Sequence, residues 1–190
     1  FTGSNVSERE IKELSRNWTL YNYKVLHFAT HGLIVNEVPE LSAVVLSQFE
    51  KDEGKEDGYL RIEEIVELDF QADLVTLSAF ETHLTNWRSG RLVPARMTRS
   101  NGGRIYGDAG IMGLTQSFIL AGANAVSMSL WSVAGESTSQ FMITMYGMVQ
   151  EKGINYAEAI TEVKRRFISG GFGEEYKAPY YWAPFVYYGN

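Results

Sequence analysis

The chain predicts one α/β domain, a mostly parallel sheet with helices on both of its faces. Two observations carry this. Short apolar, β-branched runs alternate along the chain with segments of helical periodicity, the pattern of strands joined by helical crossovers. The length, 190 residues with 45% hydrophobic and 21% charged, suits a single well-filled core.

The elements follow in order. Ser7-Glu8-Arg9-Glu10 has capping-box spacing and Ile11 and Leu14 continue an apolar stripe, which predicts a helix over 7–17. A buried strand is expected over 24–30 and a short second strand over 43–47, followed by a polar, hairpin-like stretch over 50–58. Ile62, Ile65, Val66 and Leu68 fit one helical face, and 73–79 reads as the third strand. A long irregular segment runs to about 107, after which Ile111, Leu114, Thr115, Phe118 and Ile119 recur at helical spacing. A strand over 125–131, helices over 137–151 and 155–169, and a last strand over 185–188 complete the chain. The first of those two helices is amphipathic through Phe141, Met145 and Met148. There is no internal repeat and no low-complexity linker. In open α/β sheets functional groups collect beyond the carboxyl ends of the strands. His31, Phe80 and Trp131 all fall at such ends.

Composition narrows the function. Seventeen basic and 23 acidic residues give a net charge of −6, which argues against nucleic acid as a main partner. No apolar run approaches the roughly 18–20 residues that span a bilayer, and no basic-then-apolar leader opens the chain. A chain that starts at Phe1 reads as a fragment of a longer protein, and a soluble cytoplasmic location is the expectation. With no cysteine, disulfides, a thiolate nucleophile and thiolate metal sites are excluded within these residues. Three histidines without clustered carboxylates give no metal site, and Gly102-Gly103 lacks the Gly-Lys-Ser/Thr continuation of a phosphate loop, so no cofactor is expected. His83 follows Phe80 by three residues, in a loop.

Charge is unevenly laid out. Residues 50–69 hold nine acids against three bases, a local −6, whereas residues 82–107 hold five arginines and no acid. Two solvated loops account for this. The sharper alternative is that the basic stretch is an exposed element for cleavage or partner docking. His27 and His31, four apart, face the same side of one strand, and His27 reads as a hydrogen-bonded supporting histidine rather than a metal ligand. The aromatic tail from Tyr180 to Tyr188 reads as core packing with polar tips at the surface.

Six blocks then occur in a specific order: Leu26-His27-Phe28-Ala29-Thr30-His31-Gly32; Leu77-Ser78-Ala79-Phe80-Glu81-Thr82; Gly113-Leu114 with Phe118; Ala121-Gly122-Ala123; Ser129-Leu130-Trp131; and Pro179-Tyr180-Tyr181-Trp182-Ala183-Pro184-Phe185-Val186. Together they resemble the CHAT domain, a caspase-like domain related to separases and often attached to tetratricopeptide repeats. The resemblance covers nearly the whole chain, as a single domain over 1–190. It implies a caspase-like three-layer sandwich that lacks the family's first strand. It also implies a cysteine endopeptidase ancestry, a peptide or protein substrate or partner, and a tetratricopeptide-repeat region elsewhere in the full protein.

Carried over by position, His31 matches the general base, Gly32 the backbone N–H that holds the oxyanion, and Phe80 the cysteine nucleophile. A phenyl ring has no lone pair to attack a carbonyl and no proton to give His31. Ser78, two residues earlier, should face the same side but lie deeper by about 6–7 Å, and it reads as structural. Gly135 stands where the family usually carries an aspartate. Asp108 falls where the family usually has a glutamate between glycines, and either caps the next helix or lends negative charge to a substrate pocket beside Trp131. The resemblance therefore implies a domain inactive as given, acting as a peptide- or partner-binding module. The alternative is a cysteine endopeptidase whose nucleophile at position 80 was replaced.

Overall fold

The computed structural model describes residues 6–35, 38–47, 56–78 and 109–189. Its elements are α1 (Glu8–Arg16), β1 (Val25–Phe28), β2 (Gly32–Leu33), β3 (Ala43–Val45), β4 (Tyr59–Arg61), α2 (Ile62–Val66), β5 (Leu74–Leu77), α3 (Ala109–Leu120), β6 (Ala125–Ser129), α4 (Gly135–Lys152), α5 (Tyr156–Ser169) and β7 (Phe185–Gly189). Ser7 caps α1, its Oγ accepting from the Glu10 N–H at 3.2 Å, as the capping-box spacing required. Asn155 caps α5 in the same way, through the Glu158 N–H.

The main sheet has the strand order β1-β5-β6-β7. The first three strands are parallel, and β7 runs antiparallel to β6. A second, antiparallel sheet has the order β2-β3-β4, and the hairpin-like stretch expected over 50–58 lies mostly outside the described residues.

Alternation along the strands makes the three layers. Leu77, Val75, Val126 and Met128 point to one face and pack with Ile11 and Leu14 of α1, Ile65 of α2 and Ile111, Leu114 and Phe118 of α3. Leu74, Ala125 and Phe185 point to the other, against Phe141, Met145 and Met148 of α4 and Ala159, Ile160, Val163 and Phe167 of α5. On the first face Phe28 meets Phe118 with ring centroids 5.6 Å apart. On the second, Phe141 stacks on Phe185 at 4.1 Å and lies 5.9 Å from Phe167. The sheet is thus mixed, mostly parallel and covered on both faces, as the alternation of elements predicts.

The turn from α3 into β6 shows why Ala121-Gly122-Ala123 is needed as written. Gly122 has φ +119°, and a Cβ there would sit 1.8 Å from the Phe70 carbonyl oxygen. The flanking backbone locks the approach, with Phe70 N–H donating to the Ala121 carbonyl and Ala72 N–H to that of Gly122, both at 3.2 Å.

α1 is fastened by ions. Glu8 is 1% exposed. It accepts from Lys12 Nζ at 2.5 Å and from the Gly58 N–H at 3.0 Å, while Lys12 also reaches Glu64 at 2.8 Å. The Arg61 N–H donates to Glu64 at 2.9 Å. Burial pushes the Glu8 carboxyl up by more than Lys12 draws it down. Burial opposes ionisation of Glu64 as well, but there the Arg61 N–H and the Lys12 ammonium prevail and hold its carboxyl below the usual range. Against burial, the two carboxylates raise the ammonium of Lys12.

Candidate functional site at the carboxyl ends of the strands

A cleft of about 460 Å³ opens between the ends of β1 and β5 and the first three turns of α4. His27, Ala29 and His31 line it at every second residue, the alternation expected of an extended segment. Ser78 lines it from the end of β5, Ser132 and Val133 from the turn after β6, and Thr138, Ser139, Met142, Ile143 and Tyr146 from α4. Among the described residues no charged side chain borders it.

His31 stands on the exposed rim just past β1. Its backbone is pinned to the second sheet: Val45 N–H donates to the His31 carbonyl at 2.9 Å, and the Thr30 hydroxyl donates to the Val45 carbonyl at 2.6 Å. Gly32 follows at once as the buried first residue of β2, opposite Val44. Phe80 and Asp108 lie outside the described residues, as do His83 and the arginine-rich stretch. Trp131 is half-buried one turn beyond β6, its indole N–H donating to the Tyr180 carbonyl at 3.1 Å. The cleft wall passes through its neighbours Ser132 and Val133 rather than through the indole. The Tyr180 hydroxyl donates back to the Ser132 carbonyl at 3.0 Å, and Leu130 N–H donates to the Pro184 carbonyl at 3.0 Å. The aromatic tail therefore braces the turn that borders the cleft.

Beside His31, and centred on the also solvent-exposed His27, the structure shows a network that sequence reading caught only in part. His27 is hydrogen-bonded, as expected, and its partners are now explicit. The Tyr146 hydroxyl donates to Thr76 Oγ1 at 2.9 Å and meets His27 Nδ1 at 3.2 Å; His27 Nε2 meets Ser78 Oγ at 2.7 Å. With the Tyr146 proton committed to Thr76, its oxygen accepts from His27 Nδ1–H, and Nε2 is left to accept from the Ser78 hydroxyl. Burial lowers the His27 pKa, which favours this neutral form, and pushes the Tyr146 phenol up to about 12. His27, Thr76, Ser127 and Tyr187 are in register across all four strands, so the imidazole is one member of a polar row beneath α4. Tyr146 was missed because it lies 119 residues from His27. The available signal was the row itself, polar residues where a doubly covered strand otherwise holds aliphatic ones.

The lowered pKa gives a prediction with a definite sign. A histidine held neutral in the native state favours folding above its ordinary value near 6.5, and that contribution is lost as pH falls through the lower native value. Thermal melts of the wild type should therefore lose stability below about pH 6.5 more steeply than those of His27→Gln. Parallel curves would exclude His27 as the source.

A mixed, mostly parallel sheet between helical layers, with a histidine–glycine pair at the rim of a cleft past the strand ends, defines a caspase-like α/β domain. The family model described as "CHAT domain" matches residues 1–190, the whole chain, and the chain belongs to that family. No curated protein matches it. Among the described residues no three His, Asp or Glu side chains gather in a way that could hold a metal ion, and no helix is long and apolar enough to cross a membrane.

Proposed function

We propose that this CHAT domain is a caspase-like module that has lost cysteine peptidase chemistry and uses its cleft to hold a peptide segment of a substrate-like partner. The observation that carries this is the complete absence of cysteine from a chain that keeps His31-Gly32 beside an open cleft. His31 acts as a hydrogen-bonding group at the rim, Gly32 marks the position of the oxyanion donor, and Phe80 occupies the nucleophile position. By position in the family Asp108 is assigned to the substrate pocket, and Trp131 serves that pocket through its neighbours Ser132 and Val133 in the cleft wall. A tetratricopeptide-repeat region elsewhere in the full protein would present or regulate the module, and the cytoplasm is its place of action.

The test is a panel of peptides scored for both binding and cleavage. Saturable binding that weakens in Ile143→Asp, with no turnover, is the expected result, because Ile143 is a largely exposed apolar member of the cleft wall. Peptide turnover that vanishes in His31→Ala would overturn the reading. Retention of His31-Gly32 keeps the second reading, a cysteine endopeptidase whose nucleophile was replaced. For that reading Phe80→Cys is expected to restore His31-dependent cleavage.

A further inference from the structure

We propose that Ser78 and His27 form an acyl-accepting pair, and that the cleft reacts with activated acyl donors, esters or thioesters, to give an acyl-serine. This goes beyond peptide binding and does not depend on it. The geometry is that of a nucleophile, a base and a group that orients the base. Ser78 Oγ lies 2.7 Å from His27 Nε2, and Tyr146, fixed by its own hydrogen bond to Thr76, meets His27 Nδ1 at 3.2 Å. His27, Ser78 and Tyr146 all border the same cleft of about 460 Å³, so an acyl group has room to approach. The bonding around the ring favours a proton on Nδ1 and a lone pair on Nε2 facing the serine hydroxyl, the tautomer that base catalysis requires.

The step balances without any further reactant. Ser78 Oγ attacks the acyl carbon while its proton passes to His27 Nε2. The bond from that carbon to the alkoxide or thiolate leaving group then breaks, and the leaving group takes the proton from His27. The product is an ester on Ser78, which water hydrolyses with His27 again as base. Thiolates and the oxygen leaving groups of activated esters depart with little help from an acid, whereas an amine must be protonated to leave. The donor class is therefore esters and thioesters rather than peptides. Ser132, Thr138 and Ser139 line the same cleft and supply the hydroxyls from which a donor to the developing negative charge would come.

The experiment treats the purified chain with a fluorophosphonate probe and, separately, with p-nitrophenyl acetate, and maps the modified residue by mass spectrometry. The expected result is an adduct on Ser78 that is absent in Ser78→Ala. Its rate should fall about 100-fold in His27→Gln, on the scale of a lost general base. The rate should rise with pH through an apparent pKa below the ordinary histidine value, and Tyr146→Phe, which keeps the ring and loses the hydroxyl, should slow labelling. Ser78→Cys supplies a second readout. Because the chain is otherwise free of cysteine, alkylation by iodoacetamide has one source, and it should run at least about tenfold faster at pH 7 than with a free cysteine peptide. Absence of a Ser78 adduct in the folded chain, or labelling and alkylation that ignore His27→Gln, overturns the proposal. Peptide binding is scored separately and stands or falls without reference to these outcomes.

Discussion

Truncation of Phe141 to alanine is expected to cost about 3–5 kcal/mol and to weaken the cleft at the same time. Phe141 is fully buried, stacked on Phe185 at 4.1 Å and 5.9 Å from Phe167, so it is the point where α4, α5 and β7 meet. The aromatic ring leaves a cavity that neither Phe185 nor Phe167 can fill without leaving its own packing. For a domain of this size the loss corresponds to a fall in Tm of roughly 6–20 °C. The functional consequence follows from the helix that Phe141 anchors. Thr138, Ser139, Met142, Ile143 and Tyr146 reach the cleft from α4, and a loosened α4 moves that whole wall away from His27 and His31. Calorimetry and peptide binding should therefore decline together in Phe141→Ala. A stable variant with intact binding would mean that α4 is held mainly from elsewhere.

Replacement of Lys12 by methionine is expected to destabilise the domain by about 3 kcal/mol, the lower end of the range for removing one partner of a buried ion pair. Lys12 keeps 17% of its side-chain surface, which favours the lower end. The variant leaves Glu8, nearly without solvent contact, facing Glu64 with no cation between them. The sign of the pH dependence distinguishes this from simple loss of packing. In the wild type the raised Lys12 ammonium contributes stability that is fully present below its ordinary value near 10.5 and lost as pH rises through the higher native value. In the variant, two carboxyls forced together take up a proton more readily folded than unfolded. Its deficit should therefore shrink as pH falls through the carboxylate range. Denaturant midpoints across pH 4–8 measure this, and a deficit constant with pH would show that the lost alkyl contacts dominate.

The parts of the fold that are legible in the sequence are those set by local periodicity. The stripe Ile111, Leu114, Phe118 gave α3, and Phe141, Met145, Met148 gave α4, because each buries one face against a sheet. Ile119, counted in the α3 stripe, is 40% exposed. The strands expected over 24–30 and 125–131 are shorter, Val25–Phe28 and Ala125–Ser129, because the apolar run in the sequence continues past the point where the ladder stops. Thr30 shows the cause, as its hydrogen bond goes to the second sheet. The strands β2 and β4, two and three residues long, have no periodicity to detect; register with β3 makes them strands. At the site, His31, Gly32 and the shared orientation of His27 and His31 were readable from position along one strand. Ser78 was read as structural, and its bond to His27 emerges only when β1 and β5 are laid side by side in register. The cleft wall from α4 required knowledge of which way that helix returns across the sheet.

Among the described strands, β1 stands at the margin of the main sheet, with β5 as its neighbour. Both cleft imidazoles are carried by this strand and its exit, while the core strands β5 and β6 are laced on either side. The reactive groups of the cleft are therefore carried by one of the two outer strands of this sheet, β7 being the other among the described strands. The spacing between the imidazoles and the α4 wall depends on how β1 sits against α4, and the contact from Tyr146 to His27 at 3.2 Å joins the two directly.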